Sequence, residues 1–267
     1  MLLIIIALFV FGAALGSFAC CQAWRIKNED KSPRSHCENC DYKLKWYDSI
    51  PVISWLTLRG KCRKCGKPIG AAEILTEIGL GVVFALTYVL WPFTLDYASP
   101  LSIAQFIVFL ALLVGFCVLF VYDWRWGELP IKPLIFCIIC AIIWISLQHG
   151  ASIALGSFSP NTIIDLLGAL LVLPGLYYFM YKMSDERWVG GGDWILCIPL
   201  ALILGNFWMA FFCLFISNLL GCVFAIPVLV SKKKKRGAKI HFGPFLILGF
   251  LAVFFAQNLI SGFLFFW

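Results

Sequence analysis

The chain has 267 residues and a formal net charge of +7, and 62% of its residues are hydrophobic while only 13% are charged. With a mean hydropathy of +0.93, this composition excludes a soluble globular core and is typical of a polytopic membrane protein. The positive net charge therefore indicates membrane topology rather than nucleic-acid binding, and we expect no nucleic-acid partner.

Eight apolar stretches follow one another along the chain, and we predict that each forms a helix. They span residues 2–24, 73–91, 103–122, 131–148, 161–181, 194–205, 207–230 and 243–264. The sixth is short, and it could join the seventh in one helix kinked around Gly205 and Asn206. The first stretch lacks the positive amino-terminal region of a signal peptide and is followed by positive charge, so we expect it to be retained.

The basic residues test this arrangement, because Lys and Arg accumulate on the cytoplasmic side of membrane proteins. If the helices alternate in direction, all 21 Lys and Arg residues fall on one side: eleven from Arg25 to Lys67, Arg125 and Lys132, Lys182 and Arg187, and six from Lys232 to Lys239. The sequence therefore predicts that these loops are cytoplasmic and that both termini lie outside the cytoplasm. The last basic run also favours contact with anionic membrane lipid.

Four of the twelve cysteines lie in the long polar loop 25–72, as the pairs Cys37/Cys40 and Cys62/Cys65 with 21 residues between the pairs. Two C-x2-C pairs at this spacing predict a Zn²⁺ site. Since four thiolates leave no open position on the metal, the ion would be structural rather than catalytic. The alternative is a set of disulfides, which a reducing cytoplasm disfavours.

Other potential ligands carry a weaker signal. His36 precedes the first pair and could replace one cysteine, although the four thiols already complete the set. Cys137 and Cys140 form a third C-x2-C inside a predicted helix, where we expect them to pack as small hydrophobic residues. The expected fold class is an all-α polytopic membrane protein of about eight transmembrane helices, with a small cytoplasmic zinc-knuckle lobe.

A glycine run ends in a carboxylate near the start of the sixth apolar stretch, where Gly190, Gly191 and Gly192 precede Asp193. An ionised carboxylate near hydrocarbon is costly, so such residues are rare and are usually functional. Because glycine has no Cβ, we expect Gly190 and Gly192 to let a helix or an extended peptide approach the backbone closely. The alternative is that Asp193 only caps a helix.

A second carboxylate, Asp123, follows the third apolar stretch on the same predicted side of the membrane as Asp193. Two carboxylates within hydrogen-bond reach share a proton, so that one acts as a base on water and the other as an acid towards a carbonyl. This is the chemistry of an aspartic protease, and it requires neither a metal ion nor a cofactor. Alternatively, Asp123 alone could anchor its helix at the membrane interface or pair with Arg125.

At these residues the chain resembles the type IV prepilin leader peptidases, membrane enzymes of the GxGD aspartyl protease class. The stretches that carry the resemblance are Phe11–Phe18, Trp46–Leu56 between the cysteine pairs, Asp123 with Leu129 and Pro130, Gly190 to Asp193, and Phe242–Phe245. The resemblance implies that Asp123 and Asp193 are the catalytic pair. Ile131, Ile195 and Cys20 depart from the residues usual in the family, but none of them replaces a carboxylate or a thiol ligand.

The resemblance also implies a function. The chain would remove the leader from prepilins or pseudopilins, which serve pili or secretion, at the cytoplasmic face of the bacterial inner membrane. Methylation of the new amino terminus from S-adenosylmethionine would follow, although the sequence contains no glycine-rich fingerprint for that donor. The implied domains are a first transmembrane helix (1–24), a zinc-binding loop associated with methyl transfer (25–72) and a membrane-embedded peptidase domain (73–267). Glu77 resembles a glutamate of the methylating half, but helix-end packing explains it equally well.

Two other classes of protein remain as alternatives. A presenilin-like intramembrane protease also combines Tyr-Asp with Gly-x-Gly-Asp, here Tyr122-Asp123 and Gly190 to Asp193. That class does not predict the two cysteine pairs or the Phe242–Phe245 stretch. A transporter would instead place its carboxylates near the bilayer midplane in broken helices and show repeat symmetry, which we do not find in this sequence.

Overall fold

The computed structural model describes residues 1–32, 34–93, 95–154, 159–187, 189–230 and 241–264. It divides into two compact units, Met1–Trp91 and Pro92–Trp267. The regular elements of the described residues are helices, as the all-α fold class predicted. The basic run from Lys232 to Lys239, on which part of the topology prediction depends, lies outside the described residues.

The first unit contains two long helices and a polar loop between them. Its elements are α1 (Leu2–Asn28), a 3-10 turn (Trp46–Ser49), the short α2 (Ile53–Thr57) and α3 (Ala71–Val89). Both long helices are apolar and long enough to cross a membrane. The loop that joins them carries the four cysteines of the predicted metal site.

Helices α1 and α3 approach each other closely because glycines lie at their contact. A Cβ added to Gly12 would be 2.8 Å from the ring of Phe84, and one added to Gly16 would be 2.8 Å from the Cα of Glu77. The hydrophobic effect contributes little to helix association in lipid, because the lipid tails are as apolar as the side chains. Such helices associate instead through close backbone packing at small residues. These glycines therefore fix the pairing of α1 with α3.

In the described residues, the second unit has seven helices, several of them joined by short connections. They are α4 (Pro100–Trp126), α5 (Ile131–Ala154), α6 (Pro160–Leu170), α7 (Leu176–Met183), α8 (Gly191–Leu204), α9 (Phe207–Val230) and α10 (Gly243–Leu264). A π-helical turn, Leu171–Gly175, joins α6 to α7 and contains Pro174, whose missing N–H suits an interrupted helical ladder.

Seven helical segments of the described residues are long and apolar enough to cross a membrane, when α6 and α7 count as one. The eighth, α8, has 14 residues and ends at Gly205, which adopts φ 61. This confirms the prediction that the sixth apolar stretch is short. The same glycine separates α8 from α9, so the kinked single helix considered above does not form.

Aromatic side chains fill the contact among α4, α5 and α10. The rings of Phe109 and Phe254 stack with centroids 4.2 Å apart, and Trp144 packs on both of them. Phe116 and Phe250 continue this cluster towards the other end of α4. Stacked and edge-on aromatic pairs stabilise the bundle through packing, since the hydrophobic effect contributes little between helices in lipid. This core holds the end of α4 that carries Asp123.

Candidate active site and metal-binding cluster

Asp123 lies in the last turn of α4 and is buried, with 4% of the residue exposed. Its Oδ2 accepts a hydrogen bond of 2.9 Å from the backbone N–H of Gly243, the first residue of α10. The amino terminus of a helix carries partial positive charge and favours an anion beside it. The start of α10 therefore binds and orients this carboxylate.

Asp193 lies in the first turn of α8 and is partly exposed. Its Oδ2 accepts a hydrogen bond of 3.0 Å from the N–H of Gly190, while its own N–H donates to the Gly190 carbonyl at 3.1 Å. The first of these bonds is the half of a capping box that the N3 side chain supplies, and the backbone carbonyl of the N-cap Gly190, which has no side chain, accepts the second. Asp193 therefore does stabilise its helix, and a capping role and a chemical role are compatible because a carboxylate can accept several hydrogen bonds.

Leu129 links the two carboxylate-bearing helix ends. A Cβ added to Gly192 would be 2.5 Å from the Cβ of Leu129, and one added to Gly243 would be 2.7 Å from Asp123 Oδ2 and 3.4 Å from Leu129 Cδ2. The side chain of Leu129 thus lies between the start of α8 and the start of α10. Consequently the ends of three helices, α4, α8 and α10, meet in one cluster that contains both aspartates.

The amino-acid sequence does not predict these contacts. Gly190 and Gly192 are expected to leave room for a helix or a peptide, and the close neighbour of Gly192 in the structure is Leu129. The Phe242–Phe245 stretch carries the family resemblance, but the hydrogen bond from Gly243 to Asp123 is evident only in the folded chain. Leucine and glycine at these positions carry no chemical signal of their own, so only the folded chain reveals them.

His241 is a further residue beside the end of α4. Gly127 ends that helix with φ 70, and its N–H donates to the Asp123 carbonyl at 2.8 Å. A Cβ added to Gly127 would be 2.6 Å from Nε2 of His241. Both the positive φ and the imidazole therefore require glycine at this position, and the residues before α10 pack tightly against the end of α4.

The four cysteines of the first unit form one cluster. The Sγ atoms of Cys37, Cys40, Cys62 and Cys65 all lie within 4.8 Å of one another. The distance is 3.9 Å between Cys37 and Cys65 and 4.0 Å between Cys40 and Cys62. Four sulfurs at about 2.3 Å from a tetrahedral Zn²⁺ lie about 3.8 Å apart. The cluster could therefore hold a tetrahedral metal ion, and its members are the four cysteines of the two C-x2-C pairs.

The two cysteine pairs adopt the same turn. In the first, Asp41 N–H donates to the Cys37 carbonyl at 3.0 Å, and in the second, Gly66 N–H donates to the Cys62 carbonyl at 2.9 Å. The two turn residues have positive φ, 51 for Asp41 and 67 for Gly66. Glycine adopts this conformation without strain, and Asp tolerates it better than most other residues. Each turn thereby directs both of its thiols to one side.

Backbone amides prepare one thiol for metal binding. The N–H groups of Cys65 and Lys64 lower the pKa of the Cys62 thiol to about 6. For Cys40, the Tyr42 N–H acts in the same direction, but desolvation and the neighbouring thiols outweigh it and raise the pKa to about 11. A metal ion that binds here would displace the remaining protons, because thiolates are the ligands.

An ion pair between a buried carboxylate and a half-exposed arginine ties the second cysteine turn to the 3-10 turn. The side chain of Asp48 is 1% exposed, and its Oδ1 accepts a hydrogen bond of 2.8 Å from Nε of Arg63, which stands between two of the cysteines. Its Oδ2 accepts from the N–H of Lys45 at 3.2 Å and from the hydroxyl of Tyr42 at 3.4 Å. The cysteine cluster therefore positions the Trp46–Leu56 stretch.

Glu77 connects this stretch to α3. Its Oε2 accepts a hydrogen bond of 2.7 Å from the N–H of Val52. Val52 adopts φ 62, a conformation that is costly for a β-branched residue. The buried Glu77 carboxylate thus holds a strained turn, which supports the packing explanation of this glutamate.

The comparisons with known proteins match both units. A model described as the bacterial peptidase A24 N-terminal domain matches residues 10–91, which include the four clustered cysteines. A model described as the type IV leader peptidase family matches residues 110–226, which include both aspartates. No solved structure matches the chain.

Several curated proteins named prepilin leader peptidase/N-methyltransferase are similar to this chain. The protein of Dichelobacter nodosus is 29% identical over 234 residues, covering 85% of this chain and 73% of the relative. That of Stutzerimonas stutzeri is 26% identical, covering 87% and 75%, and that of Legionella pneumophila is 26% identical, covering 93% and 84%. The chain therefore belongs to the type IV leader peptidase family and is a multi-pass membrane enzyme.

Proposed function

We propose that this enzyme removes the leader from type IV prepilins or pseudopilins with Asp123 and Asp193 as its catalytic pair, and then methylates the new amino terminus. The names of the curated relatives support both activities. The observation that carries the peptidase assignment is the meeting of the ends of α4 and α8, where the two aspartates lie, around Leu129 and the start of α10.

The proposed chemistry is that of a carboxylate pair that shares one proton. The ionised aspartate removes a proton from water, and the oxygen of that water attacks the carbonyl carbon of the scissile peptide. The protonated aspartate gives its proton to the carbonyl oxygen. The tetrahedral intermediate then collapses, the C–N bond breaks, and a proton returns to the departing amine. The Gly243 N–H orients the Asp123 carboxylate during these steps.

We assign leader removal to the second unit, because both aspartates lie there. The loop 25–72 would be a metal lobe, with Zn²⁺ held by Cys37, Cys40, Cys62 and Cys65 in a structural role. Methyl transfer requires S-adenosylmethionine as the donor, and we associate this reaction with the first unit. Residues 1–24 would form a first transmembrane helix. Residues 73–267, which include α3 of the first unit, would form the membrane-embedded peptidase domain that presents the scissile bond to the aspartates.

The presenilin-like alternative receives less support. The match to the N-terminal domain model and the cysteine cluster are both features of leader peptidases that the alternative does not predict. A transporter is disfavoured for a different reason. Asp123 is in the last turn of α4 and Asp193 in the first turn of α8, whereas transporters place such groups near the bilayer midplane.

The direct test is an assay of the purified enzyme in detergent or lipid with a candidate prepilin and S-adenosylmethionine. Mass spectrometry should first show loss of the leader and then the addition of one methyl group to the new amino terminus. A protein that leaves several prepilins and pseudopilins intact, while remaining folded and metal-loaded, would contradict the proposal.

The proposed orientation places the basic loops and the catalytic face in the cytoplasm. Reporter tags near Lys43, Asp185 and Lys234 should therefore report the cytoplasm, and tags near Asp96 and after Trp267 should report the opposite side. Enzymatic reporters active on only one side of the membrane measure this directly. A cytoplasmic carboxyl terminus would refute the orientation with eight membrane-crossing helices.

Gly243 offers a separate test of the active-site geometry. A Cβ there would be 2.7 Å from Asp123 Oδ2, so Gly243→Ala should push the carboxylate away and break its hydrogen bond. Hydrogen bonds to charged groups are worth about 1.5–3 kcal/mol, so we expect kcat for leader removal to fall by about 10- to 100-fold. Gly262→Ala, on the same helix, is the control, because nothing lies within 4 Å of its added Cβ. Equal rates for the two variants would show that the start of α10 does not orient Asp123.

A further inference from the structure

Two apolar side chains of the short helix α2 face away from the rest of the first unit. Ile53 and Leu56 are each 58% exposed, and because they are three residues apart they lie on the same face of α2. Exposed apolar side chains are common on protein surfaces. The depth at which α2 lies, however, gives this pair a specific neighbour.

Contacts with the two membrane-crossing helices of the first unit indicate that depth. The N–H of Val52, the residue before α2, donates to Oε2 of Glu77 at 2.7 Å. Glu77 lies level with Gly16 of α1, since a Cβ added to Gly16 would be 2.8 Å from the Glu77 Cα. Arg25, the first basic residue of the chain, follows Gly16 nine residues later, which is about 14 Å along a helix.

Basic residues at the end of a membrane-crossing helix mark the membrane surface. Side chains of a helix tilt towards its amino terminus, so the carboxylate of Glu77 reaches part of the way back towards that surface. The side chain is shorter than the distance to Arg25, and the turn at Val52 therefore lies about one helical turn or more deeper than Arg25. The face of α2 that carries Ile53 and Leu56 begins at this depth.

The backbone around α2 is suited to contact with lipid. Polar backbone groups inside a membrane must be bonded within the protein, because hydrocarbon offers no partners. In this stretch the N–H groups that donate to carbonyls of the same stretch are those of Ile53, Ser54, Leu56, Leu58, Arg59 and Gly60. The hydroxyl of Thr57 likewise donates to the Ser54 carbonyl at 3.0 Å.

Glu77 supplies an acceptor that the local backbone does not provide. Val52 adopts φ 62 and ψ −51, and the Ile53 N–H donates to the Pro51 carbonyl at 2.6 Å, so these residues form a strained γ-turn. The N–H of the central residue takes no part in the bond that closes such a turn. The buried carboxylate of Glu77 accepts that N–H, which therefore requires no water.

We propose that α2 is embedded in the lipid–water interface on the side of the membrane where α1 ends, with Ile53 and Leu56 in contact with acyl chains and Glu77 holding the helix at this depth. The exposed Arg59 follows α2, and its long side chain can place its charge among the phosphate headgroups. Depth favours lipid over a peptide as the neighbour of this face, because acyl chains surround membrane-crossing helices at that level. The proposal does not depend on the catalytic assignment of the aspartates.

A photoreactive benzophenone side chain in place of Leu56 tests this placement in the full-length enzyme, reconstituted in phospholipid nanodiscs. After irradiation, mass spectrometry should find phospholipid adducts in a yield similar to that from the same group at Leu75, an exposed residue of the membrane-crossing α3. The same group at Lys43, an exposed loop residue, is the control and should give no adduct. A Leu56 position that behaves like Lys43, or that links to an added prepilin while the lipid adduct disappears, would overturn the proposal.

The unmodified enzyme provides a second measurement, which does not depend on the folding of a variant. Hydroxyl radicals generated in water oxidise the leucine and isoleucine side chains that they reach. In nanodiscs Ile53 and Leu56 should be protected, although the protein itself leaves both exposed. Oxidation as rapid as in the denatured enzyme would show that water covers this face and would refute its contact with lipid.

Substitutions of Glu77 test how the depth is set. Glu77→Leu should release the Val52 turn and cause loss of the lipid adduct at Leu56. Glu77→Gln is the matched control, because the amide oxygen still accepts the Val52 N–H, and it should retain the adduct. Equal adduct yields in the two variants would overturn the role of Glu77 in holding α2.

Discussion

Replacing either Asp123 or Asp193 with Asn should lower the rate of leader removal by about 10²- to 10⁴-fold. Asparagine keeps the size and much of the hydrogen bonding of the carboxylate, but it neither accepts a proton from water nor donates one as an acid. Each variant should still fold, because Gly243 and Gly190 can donate to the amide oxygen of Asn as they do to the carboxylates. Cleavage of a purified prepilin, followed by mass spectrometry, measures the effect.

Asp185→Asn provides the control for this experiment. Asp185 is exposed and adopts φ 45, a conformation that Asn tolerates well, so this variant should cleave at the wild-type rate. The double variant of Asp123 and Asp193 should be no slower than the slower single variant, because the two groups act as one unit. Near wild-type activity in either single variant would refute the pair.

The sequence predicted the helices well because hydrocarbon imposes a simple requirement. Every backbone polar group in the membrane must be bonded within its own helix, so a long apolar stretch has one stable structure. The short α8 was also recognisable, since Gly205 and Asn206 interrupt the apolar pattern. The cysteine cluster could also be predicted from the sequence, because the spacing within each C-x2-C pair specifies the turn that directs two thiols to one side.

The contacts of the aspartates could not be predicted from the sequence, because they join residues far apart in the chain. Asp123 accepts a hydrogen bond from the N–H of Gly243, 120 residues later. Because nearly every residue has a backbone N–H, the sequence does not show which one is the donor. Leu129 contacts Gly192 only because the end of α4 and the starts of α8 and α10 come together. The presence of two aspartates indicates the chemistry, whereas the packing that positions their side chains depends on tertiary structure.

Replacing Cys37, Cys40, Cys62 and Cys65 together with Ser should abolish metal binding and unfold the loop 25–72. Zinc binding contributes about 10–16 kcal/mol of apparent free energy in zinc-finger peptides, and a polar loop of this size cannot obtain as much from its own core. The effect should reach beyond the ligands, because Arg63 and Asp48 connect the second cysteine turn to the Trp46–Leu56 stretch.

This variant separates the two activities, because the aspartates lie on other segments of the chain. We expect leader removal to persist while methyl transfer is lost, and metal content, leader removal and methylation should be measured on one preparation. The control replaces Cys137 and Cys140 with Ala: this C-x2-C is buried in α5 and should leave the metal content unchanged. Full metal content in the quadruple variant would refute the site, whereas loss of cleavage in a folded, metal-free enzyme would show that leader removal depends on the metal lobe.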